Sequence, residues 1–407
     1  MKYIILIGDG MADYPIAGLG EATPLEAAAT PNMDSLAACG RFGLFRTVPE
    51  GLPPGSDVAN LSILGYDPRK YYTGRAPLEA ASIGVKLNAG DIAFRCNLVT
   101  LEPEGSSLVM NDYSAGHIST EEAGPIINTL DRELSGEGVR FYAGTGYRHL
   151  MVIGNLKGAI KTTPPHDISD KKIDDWLPKG EDADRLKRIM ERSREVIKAH
   201  PVNLKRTCLG KKPATSVWLW GQGKSPSMPT IKDRFGVEGS IISAVDLMKG
   251  IGICAGLKVI TVPGATGYLD TNYKGKAEYA LNSLKTMDFV CVHVEAPDEA
   301  GHKGALKEKL RAIEDFDREI VGRVLIGLRD FKDWKIMVLT DHPTPVALKT
   351  HTSDPVPFAM CGSSAFCNKG SARFSEKEAG ETGVLVEDCV AMLEEFFGRT
   401  ELVCDAG

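Results

Sequence analysis

Lys2-Tyr3-Ile4-Ile5-Leu6-Ile7-Gly8, running straight into Asp9, decides how the rest of the chain is read. The run is β-rich and apolar without alternation, as expected of a strand buried on both faces in a parallel sheet. Similar runs return in the C-terminal half: 256–262 (GLKVITV), 288–294 (DFVCVHV) and 335–340 (KIMVLT). Helical patterns separate them. Thr30-Pro31-Asn32-Met33-Asp34 opens a helix with Thr30 at the N-cap and Pro31 in the first turn. Residues 306–328 carry an apolar stripe at Leu310, Ile313, Phe316, Ile320, Val324 and Leu328, the mark of a long amphipathic helix. A closing helix is expected over 384–397. Strand–helix alternation of this kind predicts an α/β fold, doubly wound around a mostly parallel sheet.

Between these halves the character changes. Another strand is expected over 91–101, and helices over 119–135 and 181–199. Residues 155–240 are richer in Lys, Asp, Pro and Trp. This stretch reads as part of a separate domain. A length of 407 residues suits two cores better than one.

Composition narrows the functional classes. Hydrophobic residues are 43% and charged residues 25%, a soluble globular balance, and no apolar run approaches a membrane span. The N-terminal run meets an aspartate too soon for a signal peptide. A net charge of −6 argues against nucleic acid or an anionic membrane as the main partner. Nine scattered cysteines, with no CxxC pair, argue against a disulfide framework and for a reducing cytoplasm.

The chemistry collects where strands end. Residues 2–8 lead into Asp9; residues 288–294 lead into Glu295, Asp298 and His302; residues 335–340 lead into Asp341 and His342. In an open α/β sheet, ligands bind outside the carboxyl ends of the strands, so these groups can share one crevice. His351 lies on a loop that can fold back to it. Oxygen and nitrogen donors without thiolate suit divalent Mn, Zn, Mg or Fe. Three carboxylates and three imidazoles suit two such ions around one phosphate. Gly55-Ser56-Asp57 places a hydroxyl at the start of a short helix, where free amides favour anions. Near a metal, Ser56 can be both ligand and nucleophile. His200 and His293 read as structural, the latter alternating within its strand.

Six motifs carry a resemblance: Gly8-Asp9-Gly10-Met11, Thr30-Pro31-Asn32-Met33-Asp34, Gly55-Ser56-Asp57, Asp298-Glu299-Ala300-Gly301-His302, Asp341-His342 and His351-Thr352. They resemble the alkaline phosphatase superfamily. From Met1 to about Phe397 the chain is similar to its archaeal-type cofactor-independent phosphoglycerate mutases. The resemblance implies one metal at Asp298, His302 and His351, and another at Asp9, Ser56, Asp341 and His342. Manganese is expected first, with zinc, magnesium or cobalt as alternatives. It also implies that Ser56 takes the phosphoryl group of 3-phosphoglycerate and returns it to the other hydroxyl after glycerate turns. It further implies a smaller α/β domain inserted over about 91–255, a lid over a small phosphorylated substrate, which leaves 1–90 and 256–407 as the main domain. The lid's candidates are Asp112, His117, Arg148, Arg95 and His166. His117 resembles the histidine that assists transfer, and the two arginines offer bidentate clamps. The same serine and metals also fit an ATP-dependent homoserine kinase, or a phosphatase or phosphonate hydrolase. A binding protein without catalysis is disfavoured by the full ligand set.

Overall fold

A computed structural model of the protein describes residues 1–366 and 372–398. Cys367 and Cys404 lie outside the described residues. The chain forms two compact units: Met1–Tyr72 with the chain from Ser227 onward, and Thr73–Pro226.

The first unit holds an eight-stranded sheet. Its order is Lys258–Val259, Gly239–Ile242, Phe289–Val294, Lys2–Gly8, Trp334–Leu339, Val356–Gly362, Arg41–Phe45, Leu385–Val386. Neighbours run parallel except around Val356–Gly362, which is antiparallel to both of its own. Ile4, Ile5, Leu6 and Ile7 are all fully buried, so the unbroken apolar run does mark a strand covered on both faces. The mostly parallel α/β sheet is therefore as the strand–helix alternation predicts.

The helix over 306–328 is continuous but not uniform. Leu306–Asp315 is α-helical, and Phe316–Gly322 widens into a π turn before the α-helix resumes at Arg323–Gly327. Ile313, Phe316, Ile320, Val324 and Leu328 of the stripe are fully buried in the core. Asp317, inside the π turn, accepts hydrogen bonds from the Met33 amide (2.8 Å) and Asn32 Nδ2 (2.8 Å). It thus caps the helix Pro31–Cys39 in place of Thr30, whose hydroxyl bonds Asp34 instead. Burial raises the Asp317 carboxyl to about 6.

Other expectations change at their edges. In 256–262 only Lys258–Val259 is strand. The stretch 384–397 divides into the strand Leu385–Val386 and the helix Cys389–Phe396, which Asp388 caps. The inserted unit runs from 73 to 226, not from 91 to 255. At its start, helix Arg75–Ser82 packs Ala76 and Ala80 against Ala93, and Glu79 pairs with Arg95. At its end, Gly239–Ile242 pairs with Phe289–Val294 and so belongs to the first unit. Composition shifts where surface chemistry shifts; a domain ends where contacts end.

The second unit is built on the long strand Asp91–Glu104. It pairs, always antiparallel, with Ser107–Asp112, Arg148–Gly154 and Ser216–Gly223. Helices Thr120–Leu134 and Ala183–Lys198 bury Ile126, Ile127, Leu130, Leu186 and Ile189 in its separate core. A capping box at Ser119 and Glu122 starts the first of them.

Candidate active site

Three adjacent parallel strands end level with one another. Gly8 sits opposite Val294, and Ile7 opposite Leu339, so Asp9, Glu295 and Asp341 leave the sheet side by side. Helix Ala296–Lys303 follows the Glu295 end and puts Asp298 and His302 one turn apart on one face. His351 lies in the loop that enters the antiparallel strand Val356–Gly362 at this edge. Ser56 begins helix Ser56–Ile63 with Gly55 before it.

Asp298, His302 and His351 converge. His302 Nε2 lies 3.3 Å from Asp298 Oδ2, His351 Nε2 lies 3.4 Å from Asp298 Oδ1, and the two imidazole nitrogens face each other at 2.9 Å. A tetrahedral ion with bonds near 2.0 Å has ligand–ligand edges of about 3.3 Å, so this spacing fits a metal. His302 Nδ1 is 3.0 Å from the carbonyl of Lys349 and must donate to it. That bond selects the tautomer whose Nε2 carries the lone pair. Lys349 takes a left-handed backbone conformation (φ 57°), the strained geometry that turns its carbonyl toward the ring.

The second group forms around Asp9 and Asp341. His342 Nε2 is 3.5 Å from Asp9 Oδ1, 3.5 Å from Asp341 Oδ2 and 3.1 Å from Ser56 Oγ. Asp341 is held by the amides of Gly10 (3.0 Å) and His342 (2.9 Å) and by Asn60 Nδ2 (2.9 Å). Asn60 also donates to the carbonyl of Ser56 (2.8 Å), locking the serine to the carboxylate. Thr344 Oγ1 links Asp298 Oδ1 with His342 Nδ1, joining the two groups.

Electrostatics agree with a site built for cations. Burial, then the charges of Asp341, Asp298 and Glu295, push the Asp9 carboxyl well above the usual range. Burial also acts to raise Asp298, but hydrogen bonds from His302 and His351 outweigh it and hold that carboxyl well below its ordinary value. The Asp298 bond raises His302 to about 9, and burial lowers His342. Crowded carboxylates with converging imidazole nitrogens are the donor set of divalent metal sites, and the residues present fit such ions.

The raised His302 carries a measurable consequence. Without metal, its folded value lies above the unfolded value of about 6.5. The ion pair with Asp298 therefore stabilises fully below that value and is lost as pH rises through about 9. At pH 7.5 a binding metal must displace this proton. Adding Mn²⁺ to the metal-free protein in weak buffer is expected to release close to one proton per chain from this group. A pH indicator reads it, and His302→Ala should abolish that share.

The remaining predicted residues lie in the second unit. Arg95 is buried, with Nε 2.9 Å from Glu79 Oε2 and its guanidinium 4.1 Å from the Trp220 ring centre. His166 packs edge-on against Trp220 and Tyr113. His117 packs against Tyr147, over whose ring the exposed Arg148 also lies. Asp112 accepts from the Ser114 amide and hydroxyl and stands 3.6 Å from Lys212. These bonds and Lys212 hold its carboxyl low against the raising effect of burial. His117 and Ala115 both have positive φ (48° and 51°) around Gly116, a tight turn that aims this segment.

Asn60, Thr344 and His293 are absent from the predicted set. Asn60 lies four residues after Ser56, a same-face spacing that could have found it. Thr344 is a neutral residue two past His342 and gives no such signal. His293 Nε2 lies 3.0 Å from Asp9 Oδ2, because the sheet places its strand beside Lys2–Gly8.

Comparison with known proteins gives the site its context. Residues 37–203 match the family model for 2,3-bisphosphoglycerate-independent phosphoglycerate mutase. The enzyme of that name from Methanosarcina acetivorans is 57% identical over 398 residues, covering 97% of this chain and 99% of its own. Its namesake from Methanosarcina mazei is 59% identical over 362 residues, covering 88% and 90%. A solved structure of a Pyrococcus horikoshii protein is 31% identical with a TM-score of 0.82, covering 98% of both chains. At such identity across almost its whole length, the chain belongs to the 2,3-bisphosphoglycerate-independent phosphoglycerate mutase family.

Proposed function

We propose that the protein interconverts 3-phosphoglycerate and 2-phosphoglycerate through a phosphoserine at Ser56, with two divalent ions as cofactors. The observation that carries this reading is the position of Ser56 Oγ. It stands at a helix N-terminus, 3.1 Å from His342 Nε2, which itself lies 3.5 Å from both Asp9 and Asp341. Asp298, His302 and His351 would hold one ion, and Asp9, Ser56, Asp341 and His342 the other. Bound ions supply a lowered serine pKa and neutralise the charge on the transferring phosphoryl.

The chain's own residues supply the order of events. Asn60 fixes the Ser56 backbone so that Oγ meets phosphorus in line. The Ser56 O–P bond forms as the substrate O–P bond breaks, and the proton lost by the serine hydroxyl ends on the departing glycerate oxygen. Glycerate turns, its other hydroxyl oxygen bonds phosphorus as the Ser56 O–P bond breaks, and the proton of that hydroxyl returns to Ser56 Oγ. Free amides in the first turn of helix Ser56–Ile63 complement the phosphoryl charge. Retaining glycerate requires groups that recognise its carboxylate. We assign that role to Arg148 rather than Arg95, whose Nε is committed to Glu79. Asp112 and His166 are assigned to the glycerate hydroxyls, and His117 to assisting the transfer.

The test runs the purified protein with Mn²⁺ and 3-phosphoglycerate under enolase-coupled detection, beside homoserine plus ATP. Formation of 2-phosphoglycerate without 2,3-bisphosphoglycerate is expected. Phosphohomoserine with no 2-phosphoglycerate replaces the mutase reading with a kinase, and inorganic phosphate alone replaces it with a phosphatase.

A further inference from the structure

Two polar atoms beside the second group are buried and, among the described residues, lack a hydrogen-bond partner: Asp9 Oδ1 and His293 Nε2. His293 is 1% exposed. Its Nε2 approaches Asp9 Oδ2 to 3.0 Å without the alignment of a hydrogen bond. A neutral imidazole nitrogen left unmatched in a core is costly, so something outside the chain belongs there. Asp9, His293 and Asp341 each turn a donor atom toward one point, all within 4.8 Å of one another.

The far side of the ring is prepared for this. His293 Nδ1 lies 3.2 Å from Ser243 Oγ, which also accepts the Val245 amide at 3.0 Å. Ser243 Oγ can accept the Nδ1 proton as well, which leaves the lone pair on Nε2. Metal-bound histidines commonly donate their other ring N–H in this way. The buried Lys276 Nζ donates to the His293 carbonyl at 3.1 Å and fixes the strand end.

We propose that His293 Nε2 is a ligand of the ion held by Asp9 and Asp341, in addition to the residues that the resemblance implies. This rests on the two-metal reading above. A nitrogen donor added to a carboxylate set moves the site's preference toward manganese, zinc or cobalt and away from magnesium.

The experiment titrates Mn²⁺ into the full-length metal-free protein and reads unbound Mn²⁺ by its EPR signal. Mg²⁺ affinity is then measured by displacement. The wild type is expected to bind two Mn²⁺; fewer than two removes the two-metal reading itself. His293→Gln keeps a polar amide near the Nε2 position but loses the imidazole lone pair. It is expected to weaken one of the two Mn²⁺ sites by more than about tenfold while changing Mg²⁺ affinity little. Unchanged Mn²⁺ binding overturns the proposal. Equal loss of both metals also overturns it, because that pattern means His293 only orients Asp9. Should His293→Gln not fold, the unaltered protein labelled with ¹⁵N-histidine and loaded with ¹¹³Cd²⁺ decides by NMR. Four imidazoles coupled to cadmium support the assignment, and three overturn it.

Discussion

Ser56→Ala is expected to lower kcat by a factor on the order of 10³ or more while leaving fold and metal content in place. In this reading Ser56 is the sole acceptor of the phosphoryl group, so no slower covalent route takes over. The fold should survive for a structural reason. Ser56 opens its helix but makes no side-chain cap bond, and Asn60 continues to hold Asp341. The proposed second ion loses one neutral donor and keeps its carboxylates. Elemental analysis and circular dichroism check those two points. Incubation with ³²P-labelled 3-phosphoglycerate checks the third, since acid-stable label should appear on the wild type and not on the variant. A variant retaining more than a few per cent of wild-type turnover excludes the phosphoserine.

Lys309→Met is expected to cost about 3–5 kcal/mol of stability, the usual effect of breaking a buried ion pair from one side. Lys309 is fully buried. Its Nζ donates to Asp13 Oδ2 at 2.7 Å and to the carbonyls of Ala12 and Thr344 at 3.1 and 2.9 Å. Methionine fills the volume but leaves the Asp13 carboxylate with only the Val346 amide on that oxygen. The burial-raised Glu376, bonded to the Asp13 amide and to Thr23, lies in the same network. Urea unfolding at pH 7 reads the loss. Asp13→Asn added to Lys309→Met should restore part of it, because the stranded charge is then gone. A loss below about 1 kcal/mol would mean that water reaches Asp13 in the variant. The site should feel the change too, since this ammonium ties the loop after Asp9 to the loop after His342.

The legible part of this protein was its backbone logic. An unbroken apolar run ending in an acidic residue is a strong signal, because a two-sided strand leaves no other place for the charge than its end. Asp9, Asp298, Asp341 and His342 were visible for that reason, and Gly55-Ser56 for the turn it implies. Residues that work through neighbours were not visible. His293 looks like any polar residue in a strand until the sheet order sets it beside Asp9. Asn60 and Lys309 act on partners 281 and 296 residues away in sequence, and Thr344 on one 46 residues away. Thr30 and Pro31 mark the start of helix Pro31–Cys39 as their motif predicts, but the bond to its free amide comes from Asp317 on another helix, which no local pattern reveals. The limits of the inserted unit came from the resemblance rather than from any residue pattern, and they differ from 73–226 because Ala76, Glu79 and Ile241 are placed by what they touch.

The sheet order also bears on how the chain is made. The strand Lys2–Gly8 is central, and both of its neighbours come from after residue 288. At ribosomal rates of about 5–20 residues per second, it waits roughly 15–55 seconds for a partner. During that time the second unit, an uninterrupted segment with its own core, can already fold. Four consecutive aliphatic residues meanwhile stay without a sheet, the kind of segment that chaperones bind and that aggregates when they are scarce. The proposed site draws on residues from Asp9 to His351, so a nascent product that stops short of His351 lacks part of the proposed ligand set.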